Sequence, residues 1–507
     1  MNNLIATYIL ILLTVQLQAQ YLTYTSPEKE DNKQMNYEIL GKYNGSTIIY
    51  KNIKTENWLV LYDNAMKLKN KIKLTTLPTK LINVDFVTYP NFFYMIYQHQ
   101  KKNIVYCEAI KFDADGKKME ENYILDTTSI PVYQNENKIY QVLVSDDKQK
   151  IAIIKANKKN ERNHLFADII YNAKLEKQYK RRYAIAMDGK NNFLDEFMID
   201  NDGDIYVAKC YSVTGSEFVN RIDMLHMPYT SDSIYSYPVD NKDKILDEIM
   251  MKMDNVNKRV IIQTFFYNKR RGNIEGYYVT FFDKNNLKGN TPNLIKLEDS
   301  LRISAKDGVG SLKTAFNDFF IRQVYPRKDG GFIVAAESYY TTVRGNANAW
   351  NRFDFFNNSP NFLNSYDYYV MGGRDWYWDN FNRPMPQNTT YYAENVIVLS
   401  FNKAGTLEWS NAIHKAQKDD NVEDYISYQV MLTGGQLHFL YNDKDRNDFL
   451  LFDNSVHPAG AVTRHPTIKN LNRQYTIMPR HGKQITAKEM VFPCAYRNYI
   501  CFAKIEY

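Results

Sequence analysis

The sequence predicts an all-β protein, a β-propeller of four-stranded antiparallel blades, with eight blades favoured over seven. Three observations predict it. A strand ending in Tyr or Phe, followed by Asp or Asn, a short turn and another strand, recurs along the chain. A second strand–turn–strand unit precedes each copy. The composition is rich in Tyr (41) and Phe (27), residues that favour strands.

The first unit appears at Tyr62-Asp63, Phe112-Asp113, Tyr171-Asn172, Phe282-Asp283, Phe401-Asn402 and Phe452-Asp453. Asp and Asn suit these places because their side chains cap tight turns. The second unit is seen in Tyr140 to Ala156, Glu196 to Cys210, Arg322 to Ser338 and Tyr428 to Asp443. The two together make a four-stranded meander, the unit of a propeller. Spacings of 50, 59 and 51 residues separate Tyr62 from Phe112, Phe112 from Tyr171, and Phe401 from Phe452. The 111 residues from Tyr171 to Phe282 hold two blades, the first a degenerate copy over Phe193 to Pro238. The 119 from Phe282 to Phe401 hold one blade and an insertion. Seven blades thus fall between Met35 and about Lys469. The tail, Tyr475 to Tyr507, supplies two or three more strands, and a strand near Tyr21 to Thr25 would complete an eighth blade and remove the exposed sheet edge.

Residues 1–19 carry no charged side chain, and Leu4 to Val15 is an apolar run of signal-peptide length. Cleavage is expected after Ala19, leaving residues 20–507 as a single propeller domain with residues 339–393 inserted in one blade. No later run reaches the ~20 apolar residues of a membrane span, so the mature chain is expected to lack one. Net charge is +7, from 64 basic and 57 acidic residues that are mostly interleaved. The short basic runs at Tyr179 to Tyr183 and Lys269 to Arg271 are read as solvated strand and turn charges, not a nucleic-acid surface.

The blade repeats, together with GNIEGYY (Gly272 to Tyr278), GTLEWSNAIHKAQKDD (Gly405 to Asp420) and DNDGDIYV (Asp200 to Val207), resemble secreted propeller-like proteins of Bacteroidota. The resemblance covers nearly all of the mature chain and implies a fold, not an activity. The chain ends in strand-like ICFAKIEY where surface proteins of such bacteria often carry a sorting domain. That implies the periplasm or an outer-membrane association, with release to the exterior as the alternative. The resemblance also implies Asp-Ser/Thr O-glycosylation at Thr127, Ser233 and Ser300, all three expected in loops or strand ends.

Chemistry-bearing motifs are sparse. Asp200, Asp202 and Asp204 have the start of a calcium loop, but Tyr211 stands where a bidentate Glu is required, so a hairpin turn is expected. The eight His show no HxxxH or HxH spacing; His457, His465 and His481 are the nearest group in sequence, and neither a metal site nor a cofactor is assigned. Asp146-Asp147 and Asp419-Asp420 are read as loop charges. Cys107 and Cys210 read as buried strand residues; Cys494 and Cys501 face each other across a hairpin and are the disulfide candidate in an oxidising compartment. There is no catalytic signature of the P-loop, GxSxG or CxxC type.

The insertion is the exception. Residues 339–393 hold 16 aromatics and ten Asn in 55 residues, with four Arg balanced by four Asp. Disordered segments are poor in aromatics, so these rings are expected to pack against a protein partner, a carbohydrate, or the propeller itself. Trp350, Tyr368, Tyr369, Arg374, Trp376, Tyr377 and Trp378 are the candidate binding residues. The function expected is a secreted or periplasmic scaffold that binds a protein partner and has no catalytic residues. The rival is a glycan-binding protein or a glycan-active enzyme with carboxylates in the propeller funnel.

Overall fold

A computed structural model describes residues 21–28, 35–130, 138–343 and 389–507, except residues 161, 190, 191, 213–217, 271, 287, 290, 307–311, 421, 446, 447 and 469–473. Residues 1–19, the expected signal segment, lie outside the described residues.

The chain forms an all-β, eight-bladed propeller. Blade 1 is the pattern: strands Asn36–Tyr43, Ser46–Ile53, Glu56–Tyr62 and Leu68–Lys73 pair antiparallel in sequence order. Blades 2 and 3 repeat it over 83–129 and 141–186. Blades 4 (193–239) and 5 (250–296) merge into one ten-stranded sheet, because the short strand Ile245–Leu246 pairs with an inner strand of each. Blade 6 consists of Phe319–Pro326, Phe332–Val343, Thr389–Phe401 and Leu407–Ile413; blade 7 of Tyr428–Thr433, Gln436–Asp445, Asp448–Val456 and Val462–Arg464. Blade 8 takes Tyr475–Ile477, Lys483–Gln484, Glu489–Tyr496 and Tyr499–Glu506 from the tail and Tyr21–Tyr24 from the start of the chain. Tyr21 lies opposite Glu506 and Tyr24 opposite Ala503, which closes the ring as the sequence predicts.

The core sits between blades and runs round the ring. Ile48 and Leu59 of blade 1 meet Met95 and Ile110 of blade 2, and so on in turn through each neighbouring pair. Leu440 and Leu451 of blade 7 meet Met490 and Ile505 of blade 8, and Val491 and Phe502 of blade 8 meet Ile39 and Val60 of blade 1. Eight apolar seams therefore join eight blades without a gap. Outer strands such as Leu68–Lys73 and Lys177–Ala186 are largely exposed, as an edge facing solvent must be.

The recurrent turns work as the sequence suggests. Asp63 Oδ1 accepts the N–H groups of Ala65 and Lys67 at 2.9 Å, and Asp113, Asn172 and Asn402 hold the same bonds two and four residues on. The third residue after each is left-handed, Gly in Gly116 (φ 76°) and Gly405 (φ 78°) but Met66 (φ 56°) and Leu175 (φ 59°) in the other two, where a side chain bears the strain.

Two elements differ from expectation. The Phe452-Asp453 copy is not at a turn: both residues lie within strand Asp448–Val456, and the turn comes four residues later at His457, whose N–H bonds Ala461 O and whose C=O accepts from Gly460. The reason is in the local sequence, where Pro458-Ala459-Gly460 offers a better turn than Asn454-Ser455-Val456. A short helix, Asp299–Ala305, interrupts the all-β pattern between blades 5 and 6; it buries Leu301 and Ala305, and Arg302 donates to the carbonyls of Leu297, Ile274 and Glu275.

Candidate functional site

In a meander blade the second-to-third connections all lie at one end of the propeller. Blade 6 extends furthest there. Its second and third strands run on past the blade body as a stem, with Tyr339 opposite Ala393, Tyr340 opposite Tyr392 and Val343 opposite Thr389. A third strand, Gln417–Asp420, pairs along the same stem, so Thr390 lies opposite Asp420 and Ala393 opposite Gln417. Asp419 and Asp420 are therefore strand residues and not loop charges: the stem supplies backbone partners that turn a polar segment into a strand, and Thr390 Oγ1 donates to Asp420 Oδ1 at 2.6 Å. The Tyr340 and Tyr392 rings stack at 4.6 Å. The expected insertion thus begins and ends in regular structure. Residues 344–388, with Trp350, Tyr368, Tyr369, Arg374, Trp376, Tyr377 and Trp378, lie outside the described residues.

The stem is bolted to blades 7 and 8 by a buried polar network. Lys415 Nζ lies 2.8 Å from Glu337 Oε1, with both side chains fully buried. Lys415 also donates to Ala393 O (2.9 Å) and Gln417 Oε1 (2.6 Å). Ser427 Oγ donates to Glu337 Oε2 at 2.6 Å, and the Arg322 guanidinium stands 3.4 Å from the same oxygen. Burial alone would raise the Glu337 carboxyl, but Lys415, Arg322 and Ser427 together hold it below the usual range. Beside this pair, the Tyr339 hydroxyl donates to Glu423, and Arg480 Nη1 of blade 8 meets Glu423 Oε2 at 2.6 Å. Burial, then Glu423, push the Tyr339 phenol up, so it stays a donor. His481 Nε2 lies 3.0 Å from Asp424 Oδ1. Phe320, Tyr339, Tyr391, Ala393 and Ile426 form an apolar cluster of their own at the stem's base.

The other sequence candidates fall as follows. Cys494 and Cys501 are direct cross-strand partners, both buried. Thr127 is exposed within strand Tyr123–Ser129, Ser233 is exposed in a loop, and Ser300 is exposed in the first turn of the helix, not in a loop or strand end. Asp200 Oδ1 accepts the N–H groups of Asp202, Gly203 and Asp204 at 2.9 Å, a hairpin turn as expected. The place between its carboxylates is taken by the Lys284 ammonium, which contacts Asp200, Asp202 (2.5 Å) and Asp204 (3.4 Å). In the Tyr179–Tyr183 run Lys180 and Arg182 stand on a largely exposed strand as expected, Lys180 pairing with Asp126 at 3.1 Å, but Arg181 is buried, because it pairs with the buried Asp168 at 3.0 Å.

The histidines do not group as their sequence proximity suggests. His457 Nδ1 caps its own turn, and His481 serves the stem network. His465, just past the strand Val462–Arg464, instead meets His438 and Asp453 of the two preceding strands, a convergence with no short-range signature. In the sequence His465 groups with His457 and His481 instead, and Asp453 carries the turn pattern, so neither points to the other.

No family model matches the chain, and no curated protein matches it. Among solved structures there are distant matches to propeller proteins. Prolyl oligopeptidase B from Galerina marginata gives a TM-score of 0.40 at 9% identity, over 92% of this chain and 56% of that one. Cobalt-substituted Synechocystis apocarotenoid oxygenase gives 0.34 at 8%, over 97% and 94%. Phage phi92 endosialidase gives 0.29 at 8%, over 84% and 64%. The chain thus spans about half the length of the oligopeptidase. At these TM-scores and identities the likeness carries no argument about activity, and the fold rests on the strand pairing itself.

Proposed function

We propose that this chain is an exported, non-catalytic propeller scaffold, resident in the periplasm or at the outer membrane, that engages a protein partner through the aromatic segment borne on the blade 6 stem. The observation that supports this reading is the stem itself. Three paired strands carry the segment away from the blade body, and residues of three blades lock their base. A binder gains affinity when its contact residues are held on a rigid support, because less freedom is lost on association. Each buried ring removes ~150–250 Å² from water, so a few of Trp350, Tyr368, Tyr369, Trp376, Tyr377 and Trp378, with Arg374, suffice to dominate an interface.

The test is affinity capture of the chain from native envelope, followed by mass spectrometry, with wild type and a Trp376→Ala/Trp378→Ala double variant. The reading requires one partner retained by wild type and lost by the variant, with melting temperatures that agree. If the segment instead plugs its own propeller, each buried Trp lost costs about 3–5 kcal/mol and the variant melts lower. Retention on a glycan array, abolished by the same substitutions, would replace the protein partner by a carbohydrate.

A further inference from the structure

At the opposite end of the ring from the stem, blade 7 turns three donor side chains towards blade 8. His438 stands opposite Ser455 on the neighbouring strand, with Leu440 opposite Asp453. His465 follows the outermost strand, and its N–H donates to Asp453 O at 2.9 Å. Alternation along each strand therefore puts His438, Asp453, Ser455 and Leu440 on one face, and Leu440 packs against blade 8. His438 Nδ1 lies 3.0 Å from Asp453 Oδ1 and 3.1 Å from Oδ2. The His438 and His465 rings stack at 5.3 Å. One ligating atom from each of the three residues lies within 4.8 Å of the other two.

We propose that His438, Asp453 and His465 bind a divalent transition-metal ion of the zinc class. Two imidazole nitrogens and one carboxylate oxygen are the donor set such ions take, whereas Ca²⁺ and Mg²⁺ are held by oxygens. A His–Asp pair needs one imidazole; the second, brought to the same carboxylate from another strand, has no role in that pair. Asp453 is fully buried and His438 is 7% exposed, so two of the donors are shielded from water. Outer partners are in place. The Tyr507 hydroxyl donates to Asp453 Oδ2 at 2.9 Å, and Ser455 Oγ lies 2.8 Å from His465 Nε2. Hydrogen bonds of this kind fix the orientation of ligating side chains. Tetrahedral zinc with bonds of ~2.0–2.1 Å draws its donors to ~3.4 Å apart. Binding therefore draws the three side chains together, and His465 is the least buried of them.

The location gives the site a use. Tyr507 follows strand Tyr499–Glu506 of blade 8, the strand on which the ring closes. An ion held by blade 7 and braced by Tyr507 pins the last blade to its neighbour. The inference stands apart from the partner-binding reading, which concerns the other end of the molecule.

The experiment uses the full-length chain, purified without a histidine tag, stripped with a chelator and titrated with Zn²⁺ by calorimetry. Binding of one Zn²⁺ per chain in the micromolar range or tighter is expected, with a rise in melting temperature. Co²⁺ in its place should give the intense visible bands of a four-coordinate ion. His465→Ala should weaken Zn²⁺ by at least ~100-fold, a loss at the upper end of what outer-partner mutations cause. His457→Ala, a turn residue eight positions away, should bind as wild type. Should His465→Ala fail to fold, His465→Gln, which keeps the volume, is the substitute. Absence of saturable Zn²⁺ binding, or equal affinity in wild type and the His465 variant, overturns the proposal.

Discussion

Lys415→Met tests whether the stem is held by its buried ion pair. Glu337 and Lys415 are both fully buried. Removing one member of such a pair typically costs about 3–5 kcal/mol, because the other is left charged in a poor solvent. Here the Glu337 carboxylate would keep the Ser427 hydroxyl at 2.6 Å and Arg322 at 3.4 Å, which places the expected loss near the lower end, about 3 kcal/mol. Glu337→Gln leaves the buried Lys415 ammonium with neutral hydrogen-bond acceptors, Ala393 O, Gln417 Oε1 and the new amide oxygen, and without the carboxylate charge, so it should cost more, about 4–5 kcal/mol. Unfolding entropy of about 2.1 cal/mol/K per residue gives about 1 kcal/mol per degree for a chain this long, so the melting temperature should fall by about 3 and 4–5 °C. The Glu337→Met/Lys415→Met double variant should recover more than half of either loss, since two apolar chains replace two charges. Scanning calorimetry and urea unfolding on the four proteins measure this. Lys415→Met within about 0.5 kcal/mol of wild type, the scatter of ordinary surface changes, would refute the assignment.

Three further outcomes are expected. Burial, and then Lys158 and Lys209, hold His164 down at about 4 against an ordinary 6.5, so the folded state keeps it neutral while the unfolded chain takes up a proton; stability should fall as pH drops from 6.5 to about 4. After allowance for solvent reach the loss is about 2 kcal/mol, and an unchanged urea-midpoint slope in His164→Gln over that range would count against it. Asp204 is opposed by burial but brought down to about 2 by His226, the Tyr229 N–H and Lys284, so its contribution is present above its ordinary 3.8 and lost as pH falls towards 2. Lys284→Met should move acid unfolding to higher pH, and an unshifted acid midpoint would show that the ammonium is dispensable. Cys494 and Cys501 pair across one rung, a spacing that a disulfide spans, so the chain from an oxidising compartment should yield a peptide in which both resist alkylation until reduced.

The sequence revealed what is local and repeated. Asp63, Asp113, Asn172 and Asn402 announce their turns because the side chain that caps the turn is next to it in sequence. Tyr475 to Tyr507 showed its strands for the same reason. The stem network is illegible in sequence: Glu337 and Lys415 of blade 6, Glu423 of the connection to blade 7 and Arg480 of blade 8 are far apart along the chain, and each alone reads as an ordinary surface charge. Asp453 was misread because a Phe-Asp pair carries the turn signature whether or not the chain turns there, and only the stronger turn at Pro458-Ala459-Gly460 decides the register. With Asp453 placed in a turn, its meeting with His438 and His465 was hidden, since proximity across strands leaves no spacing rule in the chain.

Ring closure through Tyr21–Tyr24 makes folding wait for the whole chain. Thr25 Oγ1 accepts the Phe502 N–H across 477 residues of sequence, so the seam forms only when the last strand has been made. Contacts this distant in sequence are slow to form, and until they do the propeller is an open arc with unpaired strand edges at both ends. Such an arc is the species most exposed to pairing with other chains and to proteases. A chaperone that shields the first strand, or any interaction that keeps the two end blades together, would therefore govern yield more than the stability of the finished ring.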